Sequence, residues 1–502
     1  MNTVGKFFLE FLDPFFGGLW SIFESIFKGI LEMFNIVNYF DIVNKYADAL
    51  GGFGWFIVFL TILFLVVFVA FLVFLIIKGI KRYIKYRKEL LKQENLFDEI
   101  EDLNGEIIKL KLENEKFMEM MDPETGDVEY DEDGNITNKL KEGESRFYKL
   151  TEIDEKMQSY QEPAFNNTVT LNQFCEAFKN FSASKLGLYY NDKIIRLFIS
   201  SFAASRLIIL EGISGTGKTS LAYAFGNMVK NEAVIASVQP SWRDSSELFG
   251  YFNEFTKRFN ETEVLAKIYE AGYNNEIYVT LLDEMNISRV EYYFAEMLSI
   301  LELPMRDEWI IELVPNFWPN DPVKLQEGKL HIPGNMWYIG TINNDDSTFM
   351  VTDKVYDRAI PIAIDEKFPR FNAPETEPIQ ISSNYFEQLF KKAQTELPVT
   401  EESKQKLELT DKYIIEHFRV SFGNRILKQI YEFVPVYVAC GGTEVEAIDY
   451  LLAHKVLRKF EQLNLALIRD EIDGFIKFLD DTYGQENFEE CKAILNRLKK
   501  AA

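Results

Sequence analysis

Several groups of residues in this chain have the types and order needed for phosphoryl chemistry. Gly212-Ile-Ser-Gly-Thr-Gly-Lys-Thr219 follows the G-x-x-x-x-G-K-[ST] pattern of a loop whose backbone N–H groups cradle phosphates. In that pattern Lys218 reaches the β- and γ-phosphates and Thr219 ligates Mg²⁺, with Gly212, Ser214, Gly215, Thr216 and Gly217 shaping the cradle. Ile277-Tyr-Val-Thr-Leu-Leu-Asp283-Glu284 is an apolar run that ends in two carboxylates. Asp283 would hold Mg²⁺, and Glu284 would act on the attacking water as base or orienter. Met336-Trp-Tyr-Ile-Gly-Thr-Ile runs into Asn343, whose amide can place that water against the γ-phosphate. Arg358 and Arg425, the latter at the start of a predicted helix, supply cations further along the chain.

These groups need a scaffold that brings them together. Arg206-Leu-Ile-Ile-Leu-Glu is a short buried-strand pattern and Leu221-Ala-Tyr-Ala-Phe-Gly-Asn-Met-Val a helical one, so the loop has the strand–loop–helix setting that the motif requires. A second strand ending at Asp283 beside it, in a parallel sheet, puts both carboxylates at the edge where ligands bind. The expectation is an α/β P-loop core over residues 195–372 and an all-α lid over 373–502.

The chain is 502 residues long, enough for several folding units. Its net charge of −24 argues against a general affinity for nucleic-acid phosphates. Three cysteines and three histidines are scattered without metal-ligand spacing, which predicts a reducing compartment, no structural disulfide and no zinc site. From Trp55 to Ile77 only Thr61 is polar. That run covers roughly 34 Å as a helix, enough for one membrane span. Lys78, Lys81, Arg82, Lys85, Arg87, Lys88 and Lys92 follow at once, and the positive-inside rule assigns everything beyond to the cytoplasm. The expected location is the cell inner membrane, single-pass over 51–78. Residues 1–50 are Phe-rich with a polar stripe of Gly18, Ser21, Glu24, Ser25, Lys28, Glu32 and Asn35. They read as an interfacial helix, with a second span as the alternative. Residues 79–121 read as a basic juxtamembrane helix and a short coiled coil, because Leu96, Leu103, Leu110 and Phe117 recur at heptad spacing with Ile100, Ile107, Asn114 and Met121 between them. Residues 122–194 read as an acidic loop, with a turn at Asp133-Gly134, and a linker.

The strings LLDEMNISRVEYYFAEMLSILE, GTINNDDST and VQPSWRDSSELFGYFNEFTKRF together resemble the AAA+ ATPases of the dynein-related and MoxR-like branch, and within it the McrB-type restriction motor subunits. The resemblance covers roughly residues 195–500. It implies that Gly212–Thr219 is Walker A, that Asp283 and Glu284 are Walker B, and that Asn343 is sensor 1. It further implies that Arg358 is the arginine finger offered to a neighbouring subunit and Arg425 the sensor 2 arginine of the lid. A pre-sensor hairpin would fall within about 303–335. The implied cofactors are ATP, or GTP as in McrB-type motors, and Mg²⁺. The implied assembly is a homo-oligomer, normally a hexamer, working with a protein partner such as a nuclease subunit in defence against phage. Two departures stand out. McrB-type proteins carry consecutive arginines where this chain has Asp357-Arg358-Ala359, and a membrane segment replaces their DNA-reading domain, so direct nucleic-acid binding is not expected. The expected activity is that of a membrane-anchored, cytoplasm-facing nucleoside triphosphatase and remodelling motor. The alternatives are a MoxR-type chaperone for a membrane-associated partner and a nucleotide-gated membrane effector.

Overall fold

The computed structural model describes residues 20–21, 24–25, 28–29, 35–47, 51–64, 78, 140–141, 143–343 and 348–501. The chain divides into two compact units, Met1–Glu115 and Lys116–Ala502. In the first, Ser21, Glu24, Ser25 and Lys28 are helical. Their polar stripe carries a Lys28–Glu24 ion pair at 3.2 Å and a hydrogen bond from the Ser25 hydroxyl to the Ser21 carbonyl at 2.8 Å. A helix follows over Ile36–Tyr46, and residues 52–64 are helical with Phe53, Trp55, Phe56 and Phe59 turned outward. Among the described residues no helix is long and apolar enough to cross a membrane. The rest of the expected span (65–77), the heptad segment 96–121 and the turn at Asp133-Gly134 lie outside the described residues.

The second unit has ten strands among its described residues: β1 (Leu207–Gly212), β2 (Val234–Ser237), β3 (Gly250–Asn253), β4 (Arg258–Glu261), β5 (Tyr278–Asp283), β6 (Ile310–Glu312), β7 (Leu325–Gln326), β8 (Lys329–His331), β9 (Met336–Asn343) and β10 (Ala359–Ala363). Five of them form one sheet in the order β10-β1-β9-β5-β2, parallel at every pairing. A sheet covered on both faces needs apolar side chains in both directions, and the alternation shows it. Ile208 and Leu210 of β1, Trp337 and Ile339 of β9, and Val279 and Leu281 of β5 enter one core. Leu207, Ile209, Tyr338, Tyr278 and Leu282 enter the other.

The first core is filled by helices Leu171–Leu186, Asp192–Ala204 and Lys218–Met228 and by the helical C-terminal region. Phe225 sits at its centre, with ring centroids 4.6 Å from Phe202 and 5.5 Å from Phe198. The helix that begins inside the phosphate-loop motif is thereby anchored to its neighbour. Asn191 caps the Asp192–Ala204 helix through the Ile194 N–H, so that helix straddles the expected domain boundary at 195. Residues 148–158 and 171–186, expected as linker, are also helical. Phe147 and Leu150 belong to the second core and Leu171 and Phe174 to the first, so the packing of the two cores extends well upstream of 195.

The C-terminal region is all helical: Ser383–Glu396, Glu401–Phe418, Gly423–Ala439, Glu444–Leu451, Leu465–Tyr483 and Glu489–Ala501. A π turn over Leu452–Val456 and a 3₁₀ stretch over Leu457–Gln462 join the fourth to the fifth. The architecture is therefore an α/β parallel-sheet core with a C-terminal helical region. The segment 303–335 holds the short antiparallel sheet β6-β8-β7, and β3-β4 form a separate hairpin. Of the aromatic residues in and just before that hairpin, Trp242 and Phe249 are buried, while Tyr251 and Phe255 are exposed.

Candidate functional site

Strand β1 ends at Gly212, whose φ of 138° and close packing exclude a side chain: a Cβ there would lie 2.4 Å from the Ile364 carbonyl oxygen. Gly215 and Gly217 are also left-handed, at φ 78° and 97°, and Gly217 is the N-cap of the Lys218–Met228 helix. Glycine adopts these angles without the Cβ clash that other residues meet, so the loop can wrap around the helix N-terminus, where backbone N–H groups collect. The Tyr190 hydroxyl donates to the Gly217 carbonyl at 2.9 Å and the Thr216 hydroxyl to Ile213 O at 3.0 Å, bracing the turn. Lys218 is buried, with Nζ donating to Gly212 O at 3.0 Å and Ile213 O at 2.7 Å.

Parallel register delivers the acidic residues. Gly212 pairs with Asn343 on β9, and Leu282, the residue before Asp283, pairs with Gly340. The Thr219 hydroxyl donates to Asp283 Oδ1 at 2.7 Å, and the Thr341 hydroxyl donates to the same oxygen at 2.8 Å. Thr341 Oγ1 also accepts the Glu284 N–H at 2.7 Å. Glu284 is left-handed, at φ 52° and ψ 46°, a conformation that costs a non-glycine residue on the order of 1–3 kcal/mol and concentrates at functional sites. Its carboxylate accepts from Asn343 Nδ2 at 3.1 Å. Ser214, Gly215, Gly217, Lys218, Thr219, Asp283, Glu284, Thr341 and Asn343 line one cavity of about 250 Å³. A hydroxyl and a carboxylate side by side are hard oxygen donors, which suits Mg²⁺ held partly by phosphates and water.

The two arginines are elsewhere. Arg358 follows the short helix Asp353–Tyr356, and Arg425 lies in the first turn of Gly423–Ala439, the predicted helix. Arg358 reaches one oxygen of Glu302 at 3.0 Å and Arg425 the other at 2.6 Å. Both line a cavity of about 540 Å³ with Arg206, Arg306 and Lys428, and neither lines the cavity at the phosphate loop. The expected site residues thus fall into two places, one phosphate-loop cluster and one arginine pair.

Several residues at these places escaped the sequence reading. Thr341 carries a usable signal, since residues two apart on a strand share a face and Asn343 ends the same strand. Glu302 had none, because its importance comes from two guanidiniums that converge only in space. Glu211, directly before the loop, is buried and accepts from the Tyr356 hydroxyl at 2.8 Å and from Arg458 at 3.1 Å. Burial opposes its charge, but His454, Arg458 and Tyr356 outweigh that and hold its carboxyl below the ordinary value. The start of the phosphate loop is in this way tied to the Arg358 segment and to the helical region.

No protein-family model matches this chain, and no curated protein matches it significantly.

Proposed function

We propose that this chain is an AAA+-type nucleoside triphosphatase, anchored in the membrane and facing the cytoplasm, that works as an oligomeric remodelling motor. One observation carries the reading: the Thr219–Asp283 hydrogen bond and the Asn343–Glu284 hydrogen bond lie side by side at the mouth of a glycine-built phosphate loop. Thr219 and Asp283 would hold Mg²⁺, which supplies charge neutralisation at the phosphates. Lys218 would exchange loop carbonyls for phosphate oxygens. Glu284 would take a proton from the attacking water, with Asn343 orienting the carboxylate and Thr341 fixing the backbone beneath it. ATP is the expected fuel and GTP the alternative.

The arginine pair supports the oligomeric part of the reading. Arg358 and Arg425 line a cavity other than the one at their own phosphate loop and share one carboxylate, an arrangement suited to completing a neighbour's site. The likeness to McrB-type motors suggests a hexamer, a nuclease-type partner and a role against phage. The anchor rests on the apolar run Trp55–Ile77 and the cations after it.

The test is to purify the full chain in detergent beside Glu284→Gln and measure phosphate release with ATP and with GTP, while imaging the assembly. Glu284-dependent release from a ring supports the proposal and names the fuel. Binding without release, in both proteins, would leave a nucleotide-gated membrane effector as the better reading.

A further inference from the structure

Lys455 lies in the π turn Leu452–Val456, an irregularity that recurs at functional positions in helices. It is buried at 3 % exposure, an uncommon place for a lysine. Its ammonium donates to three acceptors: the Ala359 carbonyl at 2.7 Å, the Asp357 carbonyl at 3.3 Å, and Oε1 of Gln429. The two carbonyls belong to the residues on either side of Arg358. The carbonyl of Arg358 itself accepts from the Ser205 hydroxyl at 2.7 Å, and Lys459 pairs with the Asp357 carboxylate at 3.0 Å. Three consecutive backbone carbonyls around the arginine are thus held, two of them by one side chain from the helical region.

We propose that Lys455 is a positioning residue for Arg358: by gripping the carbonyls on both sides of it, the ammonium presents the guanidinium to the neighbouring protomer's phosphates only while the Leu452–Val456 turn is seated on the core. The proposal rests on the shared-site reading above and names what couples the helical region to that site. Three N–H donors match three acceptors, which only the charged form provides; a neutral amine has two donors and turns a lone pair toward an acceptor. Burial nevertheless works against the charge and pushes the pKa down to about 7, with Asp357 opposing and Lys459 and Arg425 adding to the effect. Arg358's hold on its pose is therefore sensitive to pH near neutrality. The sign is set by the lysine: its proton is present below that value and lost above it, so the finger loosens as pH rises.

The experiment compares full-length wild type, Lys455→Met, Lys455→Arg, Arg358→Ala and Glu284→Gln, alone and mixed in pairs before assembly. Lys455→Met is expected to lose about 10- to 100-fold in kcat, the scale of an ångström-sized misplacement, with KM nearly unchanged. Mixed with Glu284→Gln, whose finger is intact, it should regain turnover as Arg358→Ala does; mixed with Arg358→Ala it should not. The wild-type kcat should fall as pH rises through about 7, and Lys455→Arg should remove that fall, because a guanidinium stays protonated. The pH profile needs no variant that folds poorly. Full turnover in Lys455→Met, or inactivity that Glu284→Gln does not rescue while it does rescue Arg358→Ala, would overturn the role of Lys455 alone. Full turnover in Arg358→Ala would overturn the shared site and this proposal with it.

Discussion

The Thr219 hydroxyl and the Asp283 carboxylate, one from the phosphate loop and one from the end of the second strand over, lie 2.7 Å apart. This places two hard oxygen donors, of the kind that suits a hard cation, in contact at the base of the loop. Replacing Asp283 by Asn removes the charge and should raise the Mg²⁺ concentration needed for half-maximal turnover by about tenfold or more. A Mg²⁺ titration of phosphate release checks this, and an unchanged midpoint would dissociate Asp283 from the metal.

Glu284 accepts from Asn343 at 3.1 Å, so Glu284→Gln keeps the hydrogen bond and loses only the base. Turnover should fall by about 10²- to 10⁴-fold, while affinity for a fluorescent nucleotide stays within a few-fold. Loss of binding as well would mean that Glu284 organises the pocket rather than the chemistry.

Arg358 and Arg425 end on opposite oxygens of Glu302. Removal of an arginine that completes a phosphoryl-transfer site costs on the order of 10³-fold or more in kcat. Arg358→Ala should show a loss of that size, and Arg425→Ala a loss in the same parameter, with nucleotide binding by the isolated protomer kept in both. Weakened binding to the protomer's own loop in Arg425→Ala would instead place that arginine in cis.

Arg146 ties the 143–147 segment of the second unit to the Trp318–Asp321 loop. Its guanidinium pairs with Asp321 at 2.7 Å, with both side chains almost fully buried, and stacks 4.6 Å from the Trp318 ring centroid. Asp321→Ala leaves that cation buried and unpaired, and should destabilise the unit by about 3–5 kcal/mol. Denaturant melts measure it; a change below 1 kcal/mol (roughly the value of an exposed pair) would show that water reaches the guanidinium.

Glu490 is pulled from the ordinary 4.5 to about 2, with His454 the largest cause, burial opposing it, and Lys193 adding to the pull. Folding favours the ionised form, so its contribution is fully present above pH 4.5 and is lost as pH falls through about 2. Melting temperatures of wild type and Glu490→Gln should converge across that window on acidification. Curves that stay parallel would remove Glu490 from the acid response.

Much of the core was legible in the chain, for local reasons. The glycines of 212–217, the lysine and threonine after them, and the apolar runs ending at Asp283 and Asn343 are dictated by backbone geometry and strand periodicity, which act over a few residues. Those cues predicted the parallel sheet, three of its strands and the phosphate-loop cluster. The part of the unit before residue 195 is less legible, because helices 148–158 and 171–186 are polar enough on one face to read as linker, and only packing of Phe147, Leu150, Phe174 and Phe178 into the two cores joins them to it. The arginines were found as residues but not as a pair. Their meeting at Glu302, like the grip of Lys455 on the carbonyls beside Arg358, joins segments far apart in sequence. Sequence patterns carry local backbone preferences and the burial of each face; which distant charges share a carboxylate or a carbonyl depends on the closure of the helical region over the sheet, and that the tertiary structure alone decides.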